Sequence, residues 1–264
     1  MPSMSHKLNC RTESDSQTGS CGSVFRHFCF LVFICAILSP FAMGQSGFSS
    51  GVVLFWEKNF PATDIPQLTE AQAEKIFSGA EMTSSADLRL RLASAHVLVM
   101  PFGSSFPGTE WATIDQFLKR GGSLVVLGGR PFTRPAVKNA NGTWRLEPET
   151  QAYARELRIY DYQPTPASAN LAFETNIEVV GAARPNFSWL RSWSLVVRLS
   201  EAAMDEREGS AGSLDAVLRP LAWGVRDGRK LSVPVVELDH TRNAFIGSRW
   251  ELLTCEPNQD FWMD

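Results

Sequence analysis

Three short apolar runs stand out along the chain: Gly51-VVLFW-Glu57, His96-VLVM-Pro101 and Ser123-LVVL-Gly128. Each is rich in Val and Leu and apolar throughout rather than alternating. Strands of that kind have both faces buried, as in a parallel sheet covered by helices. The stretches between them carry helical signals. Thr69 and Gln72 form a capping-box pattern ahead of AQAEKIF, with Gly79 placed to close the helix. Ser84 or Ser85 can cap a helix running through Leu88, Leu92 and Ala93, and Ala80–Met82 before it reads as a short extra strand. Thr109 is placed to cap a third helix, in which Trp111, Ile114, Phe117 and Leu118 share one apolar face. Lys119 and Arg120 suit its last turn, and Gly121 suits a left-handed cap. Alternation of this kind predicts an α/β fold with a doubly wound, mainly parallel sheet.

Beyond residue 130 the pattern changes, and an added antiparallel β region is expected. Arg130–Ala136 (RPFTRPA) reads as a Pro-rich loop, and Asn141-Gly142 as a turn before Trp144. Thr150 can cap a short helix containing Tyr153, Ala154 and Leu157. Tyr162–Ala169 is rich in Pro, Thr and Ser, which places it on the surface. Strands are then expected at Ile177-EVV, Trp193-SLVVRL, Pro220-LAWGV, Leu231-SVPVVEL and Phe245-IGSRWELL. Asp227-Gly228 is a hairpin turn. Met204–Ser213 is charged and Gly/Ser-rich and reads as an exposed loop. There is no internal repeat.

The amino-terminal segment follows different rules. Phe28–Met43 is uncharged and apolar, preceded by Arg26-His27 and followed by small residues at Ala42 and Gly44. That is the layout of a secretory signal cut between Gly44 and Gln45. A spanning helix normally needs about 20 apolar residues, and Ser39-Pro40 shortens this run. The expectation is an exported protein, periplasmic or extracellular, with a membrane contact only if the leader stays uncut. The polar stretch from Met1 to Val24 is long for such a signal and keeps the anchor alternative open. No Cys follows the run closely enough for a lipoprotein signal.

Removing the leader changes the arithmetic. The chain has 264 residues, 44% of them hydrophobic, and 25 Lys+Arg against 28 Asp+Glu. Lys7, Arg11, Arg26, Glu13 and Asp15 leave with the leader, so 22 basic and 26 acidic residues remain, a net charge of −4. Nucleic acid is excluded as the main partner, because phosphate binding on that scale needs clustered excess Lys and Arg. Of the five Cys only Cys255 remains, so no internal disulfide holds the exported part and core packing must. The expected organisation is a signal peptide at 1–44, an α/β domain at 45–160, a β-rich insertion at 161–214 and a returning β-hairpin region at 215–264. Phe261, Trp262 and Met263 just before Asp264 read as apolar residues in need of a covering neighbour, the pattern of a domain cut from a longer protein.

His96-VLVMPF-Gly103, Phe106-Pro107, Trp111–Gly122 and Leu124-VVLGGRP-Phe132 together resemble the class I glutamine-amidotransferase-like domain. The likeness is closest to the non-catalytic versions joined to secreted bacterial glycoside hydrolases, such as the trimerisation domain of some β-galactosidases. It covers residues 51–132, with Pro234–Trp250 similar to a returning hairpin. The resemblance implies a flavodoxin-like fold, and as partner a catalytic domain or second subunit. It also marks a departure. Amidotransferases of this family place a nucleophilic Cys on the turn after the strand corresponding to Leu124–Leu127, and here that turn is Gly128-Gly129-Arg130. Glycine has no side chain to attack with, so no thioester can form. The family's later His-x-Glu pair is likewise missing.

Candidate site residues follow from strand ends, where open α/β sheets bind ligands. Glu57, Ser104 and Arg130 can meet a polar ligand there. Equally, the glycines can serve tight turns and Arg130 can pair with Glu57 or with a carboxylate of another domain. Glu237, Asp239 and His240 offer acid/base or metal-ligand chemistry. Strand alternation, however, puts Glu237 and Asp239 on one side and His240 on the other, so no metal site is expected. Glu57 with Glu237 or Asp239 would make a carboxylate pair for glycoside hydrolysis if about 5–10 Å apart. Trp144, Trp189 and Trp262, in loop-like contexts, are candidates for stacking on a carbohydrate, against burial by a neighbouring domain. Trp111 and Trp193 read as core. Asn141-Gly-Thr143 and Asn186-Phe-Ser188 match a glycosylation sequon. No cofactor signature is present.

Overall fold

The computed structural model describes residues 51–157, 159–164, 171–175, 190–199, 216–240, 244–257 and 259–262. The described residues open with β1 (Val52–Phe55), α1 (Glu70–Ile76), β2 (Glu81–Thr83), α2 (Leu88–Leu92), β3 (Val97–Met100) and β4 (Ser105–Pro107). A 3₁₀ turn (Gly108–Glu110) leads into α3 (Trp111–Lys119), then β5 (Ser123–Leu127), β6 (Arg134–Lys138), β7 (Trp144–Leu146) and α4 (Ala152–Glu156). The later elements are β8 (Ile159–Pro164), β9 (Ala172–Thr175), β10 (Leu190–Leu199), β11 (Ala216–Arg226), β12 (Arg229–His240), β13 (Arg249–Leu253), β14 (Cys255–Pro257) and a 3₁₀ turn at Gln259–Trp262.

Eight strands form the main sheet in the order β2-β1-β3-β5-β13-β12-β11-β9. From β2 to β13 every neighbour is parallel, and from β13 to β9 every neighbour is antiparallel. The fold is thus mixed α/β, and β13 brings the carboxyl-terminal region into the parallel half beside β5. Two three-stranded sheets, β14-β10-β8 and β4-β6-β7, accompany it.

The apolar runs become the central strands because both of their faces are covered. Val52, Leu54 and Val99 pack with Leu68, Ala73 and Phe77 on the side that α1 covers. Val53, Phe55, Leu98, Met100, Leu124 and Val126 pack with Leu88, Leu92, Ile114, Phe117 and Leu118 of α2 and α3 on the other. Strand alternation assigns neighbouring residues to opposite faces. Thr69 caps α1 as expected: its Oγ1 accepts from the Gln72 backbone N–H (3.3 Å), while Gln72 Oε1 accepts from Thr69 N–H (3.1 Å). Such a cap is worth about 1 kcal/mol. Asp227 and Gly228 both have positive φ (51° and 70°), the geometry that a two-residue hairpin turn between β11 and β12 demands.

Several expectations are corrected. Ser85 does not cap α2; its hydroxyl and N–H are turned to Glu57 instead. Thr109 lies inside the 3₁₀ turn, and α3 starts without a side-chain cap. Arg134–Ala136, the last part of the expected Pro-rich loop, is strand: β6 pairs parallel with β4 there, with Pro135 opposite Phe106. Trp144 is on β7 rather than in a loop, and Tyr162–Pro164 completes β8. Phe245–Ser248 is turn, not strand, with Gly247 at φ 85°. Trp262 is only 7% exposed, donates its indole N–H to Pro66 O (2.7 Å) and packs with Leu68, Ala73 and Phe77 rather than standing in an open loop. The leader, Ile177–Val180, Asn186–Trp189 and Met204–Ser213 lie outside the described residues.

Candidate functional site

The parallel strands run 2-1-3-4-5, counting β5 and β13 as fourth and fifth, so the order reverses between β1 and β3. In open α/β sheets the ligand crevice lies outside the carboxyl ends of the strands at such a reversal. Here the segment following β1 fills it. Thr63 forms a parallel bridge with Gly103: Thr63 N–H donates to Phe102 O and Ser104 N–H to Thr63 O, both 3.2 Å. Gly103 has φ 69°, and a Cβ there would collide with the Thr63 carbonyl. Gly129 has φ 66°, and a Cβ there would lie 2.8 Å from both Cβ and Oδ2 of Asp64. Ile65 sits against Gly128 in the same way. Three glycines therefore make the seat, and residues 63–65 occupy it.

Ser104 belongs to this packing. It is fully buried, donates its Oγ–H to the Asp64 carboxylate and accepts the Arg130 N–H at 2.7 Å. Thr63 and Ser105 share a hydroxyl hydrogen bond of 2.7 Å beside it. Ser104 Oγ is thus committed on both sides, as donor to the Asp64 carboxylate and as acceptor of the Arg130 N–H, and is closed to solvent. On the turn after β5, Gly129 thus faces Asp64 and Ser104.

Arg130 joins Ser104 only through its backbone. Its guanidinium turns away and forms a two-point ion pair with Glu149 (2.5 and 2.9 Å), not with Glu57. Glu57 is held separately. It accepts from Ser85 N–H (3.1 Å) and Ser85 Oγ–H (2.8 Å), and it pairs with Lys138 at the end of β6. Burial pushes the Glu57 carboxyl up, but the bonds from Lys138 and Ser85 outweigh it and hold the group below the usual carboxylate range. Lys138 Nζ also lies 5.0 Å from the centre of the Trp144 ring, which meets Phe60 edge-to-face at 4.7 Å. Trp144 is therefore a half-buried wall of the Phe60–Phe102–Phe55 cluster, with a lysine over one face, and not an open stacking platform.

Glu237 and Asp239 lie elsewhere. They project from one face of β12 and share Arg219 and Arg249: Arg219 is 2.6 Å from Glu237 and 3.6 Å from Asp239, and Arg249 is 3.7 and 3.9 Å away. Glu251 stands directly opposite Glu237 in the register. It is buried, and its Oε2 has no hydrogen-bond partner. Burial first, and Glu237 second, push its carboxyl well above the usual range, with Arg249 opposing them. His240 points to the opposite face, its ring 3.9 Å from that of Trp250. Among the described residues no cluster of His, Cys, Asp and Glu can hold a metal.

The carboxylate pair anticipated for glycoside hydrolysis does not form. From β1 to β12 there are four inter-strand steps, about 19 Å at about 4.8 Å each, against the 5–10 Å or so that the chemistry needs. Asp239 is further off still, level with Arg249, whose N–H meets Ser123 at the amino end of β5. Asp64, Lys138 and Glu149 were not legible as partners. The two positive-φ glycines after β5 were the available signal, since they require something close against them.

No protein-family model matches the sequence, and a comparison with curated proteins finds no significant match. Solved structures are similar at low scores. A β-galactosidase from Bacillus circulans sp. alkalophilus superposes with TM-score 0.41 and 13% identity over 81% of this chain and 30% of its own. The chain thus spans less than a third of that enzyme. A putative ThuA-like protein from Bacteroides uniformis has TM-score 0.39 and 14% identity, covering 86% of this chain and 89% of its own. The N-terminal domain of mmIFT52 has TM-score 0.39 and 14% identity, covering 77% and 86%.

Proposed function

We propose that this chain is an exported, non-catalytic amidotransferase-like domain of flavodoxin-like, doubly wound type. It supports a carbohydrate-acting protein through domain packing or oligomerisation. The observation that carries the non-catalytic part is the filled crevice: Thr63, Asp64 and Ile65 sit on Gly103, Gly128 and Gly129, where a substrate would enter. The 2-1-3-4-5 strand order and helices on both sheet faces support the fold assignment. The carbohydrate-acting partner follows from the resemblance of residues 51–132 to domains joined to glycoside hydrolases. Export follows from the apolar run Phe28–Met43 and its basic flank.

Three measurements test this reading. The exported protein is expected to begin at Gln45 by amino-terminal sequencing; retention of the leader would contradict export by cleavage. Glutaminase and galactosidase assays are expected to give no turnover, and galactoside titrations no saturable heat. Turnover, or sugar binding lost in Trp144→Ala, would contradict the supporting role. Light scattering of the exported form, alone and mixed with a glycoside hydrolase from the same source, is expected to show an assembly. A monomer under both conditions would contradict it.

A further inference from the structure

The opposite edge of the sheet carries a cleft that the proposed role does not use. It lies at the amino ends of β3 and β5, about 390 Å³ in volume, and is lined by Ser94, His96, Arg120, Gly121, Gly122 and Ser123 among others. No carboxylate lines it. Arg120 is anchored there: it donates one guanidinium N–H to Leu92 O, and its guanidinium carbon lies 5.2 Å from the centre of the Phe117 ring. That leaves further N–H donors of a five-donor group free, with no ion-pair partner for them among the described residues. Other guanidinium groups do find a carboxylate, as Arg130 meets Glu149 and Arg91 meets Glu81. The His96 imidazole and the Ser94 and Ser123 hydroxyls add donors in the same cleft.

We propose that this cleft is an anion-binding site for a phosphate or sulfate group, held by the Arg120 guanidinium and completed by His96 and the serine hydroxyls. A planar guanidinium already fixed by a carbonyl and a ring loses little freedom on binding, and its fork matches an oxyanion. The group has two sources. It is a free anion or the headgroup of an anionic phospholipid.

The experiment uses the exported form and two probes. Inorganic phosphate is titrated while the His96 ring resonances are followed by NMR, with calorimetry alongside. Phosphatidylcholine vesicles with and without phosphatidylglycerol are then tested for co-sedimentation. We expect a saturable His96 shift in phosphate that Arg120→Gln weakens about tenfold or more, the loss of a charge-assisted contact, and that Arg120→Lys weakens less. Arg120 is exposed, so both variants are expected to keep the parent's circular dichroism. Retention on phosphatidylglycerol vesicles that Arg120→Gln abolishes assigns the group to a lipid headgroup; a phosphate response without retention assigns it to a free anion. Absence of both responses in the parent, or their survival in Arg120→Gln, overturns the site.

Discussion

Glu57 and Glu251 are two carboxylates of one sheet with opposite fates. Glu57 stands just past the end of a parallel strand, where loops converge, and it gains Ser85 and Lys138 as partners. Glu251 stands within β13, on a face where its nearest directly paired neighbour across the antiparallel ladder is another glutamate. The first is held ionised and the second is pushed toward its neutral form. A strand end recruits partners from several elements, whereas a mid-strand position receives only what the register supplies. The same contrast separates the glycine-seated packing at the carboxyl edge from the charged face of β11–β13.

The largest expected effect tests the seat itself. Gly103→Ala places a Cβ against the Thr63 carbonyl at φ 69° and is expected to lower the unfolding free energy by about 3 kcal/mol or more. Gly142→Ala, at φ 83° but with nothing near its Cβ, is expected to cost only about 1 kcal/mol. Equal losses in chemical denaturation would mean that residues 63–65 do not occupy the seat.

The two carboxylates come next. Glu57→Ala leaves Lys138 and Ser85 without their acceptor and is expected to cost about 1–2 kcal/mol near neutral pH. Because Glu57 is held below the usual carboxylate range, its contribution is complete above that range and disappears as pH falls through the lowered value. The variant should therefore have a flatter acid limb in a stability–pH profile; an unchanged limb would contradict the pairing.

Glu251 has the opposite sign. The folded protein holds a proton that the unfolded chain releases, so its contribution is complete below the usual carboxylate range and is lost as pH rises toward the elevated value. Glu251→Gln removes that loss and is expected to raise stability at neutral pH by about 1 kcal/mol while leaving it unchanged in acid. Destabilisation at neutral pH would show that Glu251 has a partner when ionised.

Much of the parallel half was legible because its signals are local. Val52–Phe55, Val97–Met100 and Ser123–Leu127 announced themselves as strands by continuous apolar runs, and Thr69–Gln72 by its capping box. Missing from that reading was what lies across space. Ser85 looked like a cap because Ser is a good N-cap, yet Glu57, 28 residues earlier, competes for its hydroxyl. Arg134–Ala136 looked like the end of a Pro-rich loop, yet β4 offers it a pairing edge. Ser104 and Arg130 were rightly placed at strand ends, but only the fold reveals Asp64 and Glu149 as the groups that occupy them.

The central claim is that the chain's own segment closes the carboxyl-edge crevice, and amide hydrogen exchange at Thr63, Gly103, Ser104 and Arg130 tests it most directly. Their N–H groups donate to Phe102 O, Leu127 O, Thr63 O and Ser104 Oγ. The account predicts protection comparable to that of the β3 and β5 ladder amides. Exchange at the rates of an unstructured peptide would mean that the crevice stands open, and would contradict it.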